Sequence, residues 1–126
     1  MTTQQTDKTA IAQALEKYYF EGSYEGDLNK LNSIFHPDSL LFGDVKGQPY
    51  AKTLAEWLDV VAHRQSPKDS GKPFKGDILN IKVVNSVAIA EVHVKAYDMF
   101  YHDFLSLHRI NGNWLIVNKI MSGIEQ

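Results

Sequence analysis

The sequence predicts an α+β fold in which three helices precede a curved antiparallel sheet, and three observations carry that expectation. Apolar residues recur every three to four positions through the first half of the chain. They alternate with a period of two through the second half, which is rich in Val and Ile. The dipeptides "NS" at Asn85 and "NG" at Asn111 punctuate that second half, as antiparallel hairpins require.

The elements follow in chain order. Ile11, Ala14, Leu15, Tyr18 and Tyr19 mark one face of a first helix, capped by Thr6 or Asp7 and reaching about Gly22. Residues 1–6 are expected to form a flexible N-terminus to a single domain spanning 1–126. Gly26 breaks the chain, Asp27 caps a second helix, and Leu28, Leu31, Ile34 and Phe35 form its apolar face. The stretch "FHPD", Phe35 to Asp38, raises the question of a His–Asp relay. Pro37 biases His36 away from helical angles, however, so the stretch reads as a helix stop leading into the strand "SLLFGDV". "KTLAEWLDVVAHR" returns to helical spacing through Leu54, Trp57, Leu58 and Val61, with His63 at its C-terminal end. A loop-rich stretch, Arg64 to Asp77, then connects to the strands.

The Asn111-Gly112 turn sets an expected register for the last hairpin: Ile110 opposite Asn113, His108 opposite Leu115, and Phe104 opposite Lys119. Alternation then puts Phe104, Ser106, His108, Leu115, Val117, Lys119 and Met121 on one face. Asp103, Leu105, Leu107, Trp114, Ile116, Asn118 and Ile120 fall on the other. Both faces are partly apolar and the helices cover only one, so the outer face is a candidate homodimer surface. A pocket is expected between the sheet and its helices.

Composition narrows the function. The chain has 126 residues, no cysteine, and a net charge of −2 with its basic residues scattered, which argues against disulfides, thiolate chemistry and a nucleic-acid footprint. No apolar run approaches the ~20 residues of a membrane span, and no targeting segment is visible, so a cytoplasmic location is expected. No local metal-binding signature appears, and neither a metal nor a cofactor is expected.

Lys119 stands out because it interrupts the apolar strand "WLIVNKIM". A buried ammonium must be paired, hydrated or shifted in pKa, and Glu16, Glu21 or Asp38 are its expected structural partners; a ligand carboxylate or enolate is the functional alternative. His108 shares its expected face with Ser106 and Lys119 and is the histidine best placed for a pocket. His93 lies between Glu91 and Lys95, a pattern suited to pairing across an interface. His102 and Asp103 are strand neighbours and face opposite ways.

The stretches "YYFEGSYEGDLNKLNSIFHPDSLLF" and "FYHDFLSLHRINGNWLIVNKIM" resemble the NTF2-like superfamily of cone-shaped, cystatin-like α+β domains. Within it, the chain is similar to the SnoaL-like and lumazine-binding families. The resemblance implies a homodimeric protein whose pocket binds an apolar or aromatic small molecule. The implied lining residues are Tyr19, Trp57, Phe104, Ser106, His108, Val117 and Lys119. It also implies two alternatives: a cofactor-free isomerase, cyclase or dehydratase, or a non-catalytic dimerisation module. By alignment with the isomerases, Tyr19 takes the tyrosine position, Gly43 falls where the base would be with Asp44 beside it, and the late-strand acid falls near Phe104 or Leu105. Two of three isomerase roles are therefore expected to be vacant.

Overall fold

A computed structural model describes residues 3–126 of the chain. Helix α1 (Thr3–Ala14) runs without a break into a π-helical turn (Leu15–Phe20) and then α2 (Glu21–Glu25). Ile11, Leu15 and Tyr19 are its fully buried spine. Residues 3–6, expected as flexible, are helical; Met1 and Thr2 lie outside the described residues. Asp7 is no cap: it is buried and accepts a hydrogen bond from Arg109 Nη1 at 3.0 Å, tying α1 to the sheet.

Gly26 closes α2 in the left-handed region at φ 68°, a conformation that costs glycine little. Asp27 caps α3 (Leu28–Ile34) as expected, its Oδ1 accepting the Asn29 and Lys30 amides at 3.0 and 3.1 Å. Strand β1 (Phe35–Val45) then begins at once. His36 and Asp38 form no relay; the Asp38 amide donates to His36 Nδ1 at 3.0 Å. The Ser39 hydroxyl bridges the His36 and Ile116 carbonyls at 2.6 and 2.7 Å, where the strand pairing is irregular. "FHPD" is thus the joint between α3 and the sheet.

A two-residue turn leads to β2 (Gln48–Thr53), a strand the periodicity did not mark. Thr53 and Glu56 form a reciprocal capping box that starts α4 (Leu54–His63). The expected loop holds a single turn, α5 (Pro67–Ser70), before β3 (Lys75–Val84). Strands β4 (Val87–Ala96), β5 (Met99–Ile110) and β6 (Asn113–Glu125) follow through tight turns. Asn111 and Gly112 adopt positive φ (51° and 80°), as the type I′ reading requires. Tyr97-Asp98 makes a similar turn without a glycine (φ 55° and 62°).

The sheet order is β2-β1-β6-β5-β4-β3, with β1 and β6 parallel and the remaining pairs antiparallel. The expected register holds next to the turn, where Ile110 faces Asn113 and His108 faces Leu115. It fails further along. Leu107 pairs with Ile116 but Ser106 pairs with Asn118, so Val117 is an extra residue in a β-bulge. Lys119 therefore faces Leu105, not Phe104. A one-residue slip exchanges the faces beyond it, so Lys119 and Met121 join Asp103 and Leu105 on the buried, helix-covered side.

Candidate ligand cavity

The helices and the concave sheet face enclose a cavity of about 180 Å³, lined largely by aromatic and aliphatic side chains. Its polar floor is built from three elements. Tyr19 comes from the π-helical turn, Asp103 from β5 and Lys119 from β6. All three are buried, Asp103 to 1% exposure, Tyr19 to 2% and Lys119 to 7%. The π-helical turn is locally wider than an α-helix, a feature often found where a side chain is aimed at a site.

Tyr19 donates its hydroxyl to Asp103 Oδ2 at 2.7 Å. Lys119 Nζ stands 3.8 Å from the same oxygen, an ion pair without a direct hydrogen bond. The ammonium also lies over the rings of Trp57 (5.0 Å) and Tyr19 (5.3 Å), where the aromatic faces attract a cation. Asp103 Oδ1 is buried with no protein partner. A carboxylate with one free oxygen, a phenol and an ammonium thus meet within one apolar enclosure.

Burial sets the proton affinities. Removal from water lowers the Lys119 pKa below its ordinary 10.5; Asp103 opposes this and the Arg64 charge reinforces it. Burial likewise raises the Tyr19 pKa well above 10, with the Asp103 charge adding to the effect, so Tyr19 stays a hydrogen-bond donor at neutral pH. Tyr50, Tyr97, Tyr101 and Arg64 also line the cavity. Burial raises all three phenols, and the Arg64 charge pulls each the other way.

Of the residues expected to line the pocket, Tyr19, Trp57 and Lys119 come together here. Phe104, Ser106, His108 and Val117 do not. Phe104 is 46% exposed on the outer face, and Ser106, His108 and Val117 edge a separate shallow groove there. The cause is the bulge at Val117, which turns Lys119 away from the residues expected beside it. The same bulge corrects the expected partner of Lys119, which is Asp103, not Glu16, Glu21 or Asp38. Sequence reasoning missed Asp103, Arg64, Tyr50, Tyr97 and Tyr101. The alternation of Asp103, Leu105 and Leu107 was legible as one face of β5, but nothing local marked the bulge that brings Lys119 to it.

A late-strand carboxylate does hold Tyr19: it is Asp103, one residue before Phe104, where the alignment put the acid position. The base position remains without a side chain for a steric reason. Gly43 has φ 147°, and a Cβ there would sit 1.8 Å from the Met121 carbonyl oxygen. Asp44 is exposed. Among the described residues, no group of three or more His or carboxylate side chains gathers to hold a metal. Among the described residues, no helix is long and apolar enough to cross a membrane.

Three likenesses bear on this geometry. An NTF2-like protein of unknown function from Shewanella baltica OS155 shares the fold with a TM-score of 0.85 and 25% identity, over the full length of both chains. A second NTF2-like protein of unknown function, from Silicibacter pomeroyi DSS-3, superposes with a TM-score of 0.85 at 22% identity, over 98% of this chain and 100% of that one. Aldolase FrzH from Cladobotryum sp is 28% identical over 102 residues, 81% of this chain and 80% of its own. The family model described as "Putative lumazine-binding" matches residues 6–122, nearly the whole of the fold described above, and the chain belongs to that family.

Proposed function

We propose that the protein binds a small, largely apolar molecule in the concave cavity, with an oxygen of that molecule directed at Lys119. The observation that carries this reading is the convergence of Lys119, Asp103 and Tyr19 on one aromatic-lined space. A core needing only stability is better served by apolar residues, because a buried ion pair rarely repays its desolvation. Volume sets the ligand's size. A cavity of about 150 Å³ admits benzene, so 180 Å³ fits one substituted ring or a compact bicycle better than a steroid or a ribityl-bearing pterin.

Calorimetric titration with acetophenone, which joins one ring to one carbonyl, tests the reading. Saturable binding is expected, and it weakens in Lys119→Met. Equal affinity in that variant, or tighter binding of a steroid ketone, would contradict it.

A second reading is catalytic, and two observations favour it: a carboxylate within hydrogen-bond distance of Tyr19, and a curated relative that is an aldolase. Enolisation of a bound carbonyl would use Lys119 to stabilise the developing oxyanion, with Asp103 Oδ1 as proton acceptor. Exchange of acetophenone methyl protons for deuterium, followed by NMR, measures that step. A rate no higher with protein than with buffer removes the catalytic reading and leaves binding intact.

The same reading assigns the outer sheet face to a second copy of this chain. Phe42, Ile120 and Phe104 are exposed cross-strand neighbours on β1, β6 and β5, an apolar row of the kind that a homodimer covers. The cysteine-free composition is in keeping with a cytoplasmic setting.

A further inference from the structure

The wall of the cavity says more about the ligand than its floor. Three cationic side chains, Lys52, Arg64 and Lys119, line the space against one carboxylate, Asp103, which is already engaged by Lys119 and Tyr19. Arg64 follows α4 directly and its Nε is buried with no protein acceptor. Among the described residues, no carboxylate lies within ion-pair distance of its guanidinium. The guanidinium rests 5.2 Å from the Tyr97 ring centre, and Tyr97 is fixed in turn by donating to the Gln65 carbonyl at 2.5 Å. The Tyr50 and Tyr101 rings share this wall, and among the described residues their hydroxyls have no hydrogen-bond acceptor.

A guanidinium with an unmet buried N–H, sharing the cavity with two phenolic donors, suits the planar, two-oxygen geometry of a carboxylate. We propose that the cavity's ligand is a small carboxylic acid with an aromatic or compact apolar body, whose carboxylate is held by Arg64 with Tyr50 and Tyr101. The inference rests on the pocket reading above and narrows it to an anion. It also orders the ligand within the cone: the carboxylate lies at Arg64, the C-terminal end of α4, and the apolar body runs toward Trp57, nearer the start of that helix. Any second oxygen, such as the carbonyl of an oxo acid, then points to Lys119. The Arg64 charge already opposes the effect of burial on Tyr50, Tyr97 and Tyr101, so its field reaches the space assigned to the carboxylate.

Benzoate and benzamide test the proposal, because they match in shape and differ in charge. Isothermal titration of the full chain near neutral pH is expected to show benzoate binding about tenfold or more tighter than benzamide, the scale of one charge-assisted hydrogen bond. In Arg64→Gln that advantage of benzoate over benzamide disappears, and in Arg64→Lys, which keeps the charge without the fork, part of it returns. Circular dichroism and the melting temperature check that both variants fold. Equal binding of the two probes by the wild-type protein overturns the anion assignment and leaves the pocket reading standing. A benzoate preference that survives in Arg64→Gln overturns the role of Arg64. Failure of both probes to bind overturns this inference and the pocket reading together.

Discussion

The two faces of the same sheet carry similar residue types and treat them in opposite ways. On the concave face, Lys119 and Asp103 lie beneath the helices, almost free of water, with Tyr19 and Trp57 against them. On the outer face, the Glu91 carboxylate accepts from His102 Nε2 at 2.5 Å, and His102 Nδ1 lies 2.9 Å from His93 Nε2. That chain of groups is half-exposed, with His93 edge-on to Phe100 and His102 tilted against Phe104. By residue chemistry alone the outer Glu–His–His chain looks more like an active site. Burial reverses that ranking. Water screens the outer groups, whereas enclosure magnifies every charge in the cone and shifts the proton affinities of Lys119 and Tyr19.

The largest expected difference between the faces comes from breaking the inner ion pair. Asp103→Leu leaves Lys119 buried without its counter-charge and is expected to cost about 3 kcal/mol or more in denaturant unfolding. The double variant Asp103→Leu with Lys119→Met is expected to recover most of that loss, because no lone charge remains. Additive losses would show that the pair is not coupled. His108→Ala on the outer face, by contrast, is expected to change stability by less than about 0.5 kcal/mol and to leave ligand binding unaltered.

Tyr19→Phe removes one hydrogen bond to a charged group and is expected to cost about 1.5–3 kcal/mol, read from the same unfolding curves. An outer-face charge, Ile120→Lys, is expected to shift the protein toward monomer in sedimentation while leaving pocket binding intact. An unchanged sedimentation profile would sink the dimer assignment.

The smallest effect is in pH dependence. The folded Lys119 pKa lies below its unfolded value of 10.5. Between the two the unfolded chain binds a proton that the folded protein does not, so stability rises with pH in that window. Wild type should gain stability relative to Lys119→Met as pH climbs toward 10.5 from below. Tyr19 acts in the other direction: its raised folded pKa gives stability that is present below pH 10 and lost above it. Parallel pH–stability curves for the wild type and Lys119→Met would show that Lys119 is not desolvated.

The two faces also show where the sequence was legible. Periodicity located the helices and the hairpin strands, but it put Phe104, Ser106 and His108 on the pocket face and they lie on the outer one. Gly26-Asp27 and Asn111-Gly112 marked a cap and a turn because each needs a backbone conformation or side-chain acceptor that few residues supply. Tyr19 and Trp57 were marked by the family resemblance, whereas Lys119 was identifiable as an out-of-place ammonium. The site as a unit was not, because its assembly depends on Val117, an ordinary strand residue that pairs with nothing across the ladder. A bulge of this kind carries no local signature, yet it decides which of Asp103 and His108 stands beside Lys119. Arg64 was hidden for a related reason: it sits just past a helix end, in a stretch that reads as loop.

The central claim is that ligand chemistry belongs to the concave face and is organised by Lys119, Asp103 and Tyr19. Backbone and lysine-side-chain NMR during titration with acetophenone tests it most directly. Shifts concentrated at Tyr19, Trp57, Asp103 and Lys119, with His108 and Phe104 undisturbed, are the predicted result. Shifts centred on His93, His102 and His108 would move the site to the outer face and contradict the account.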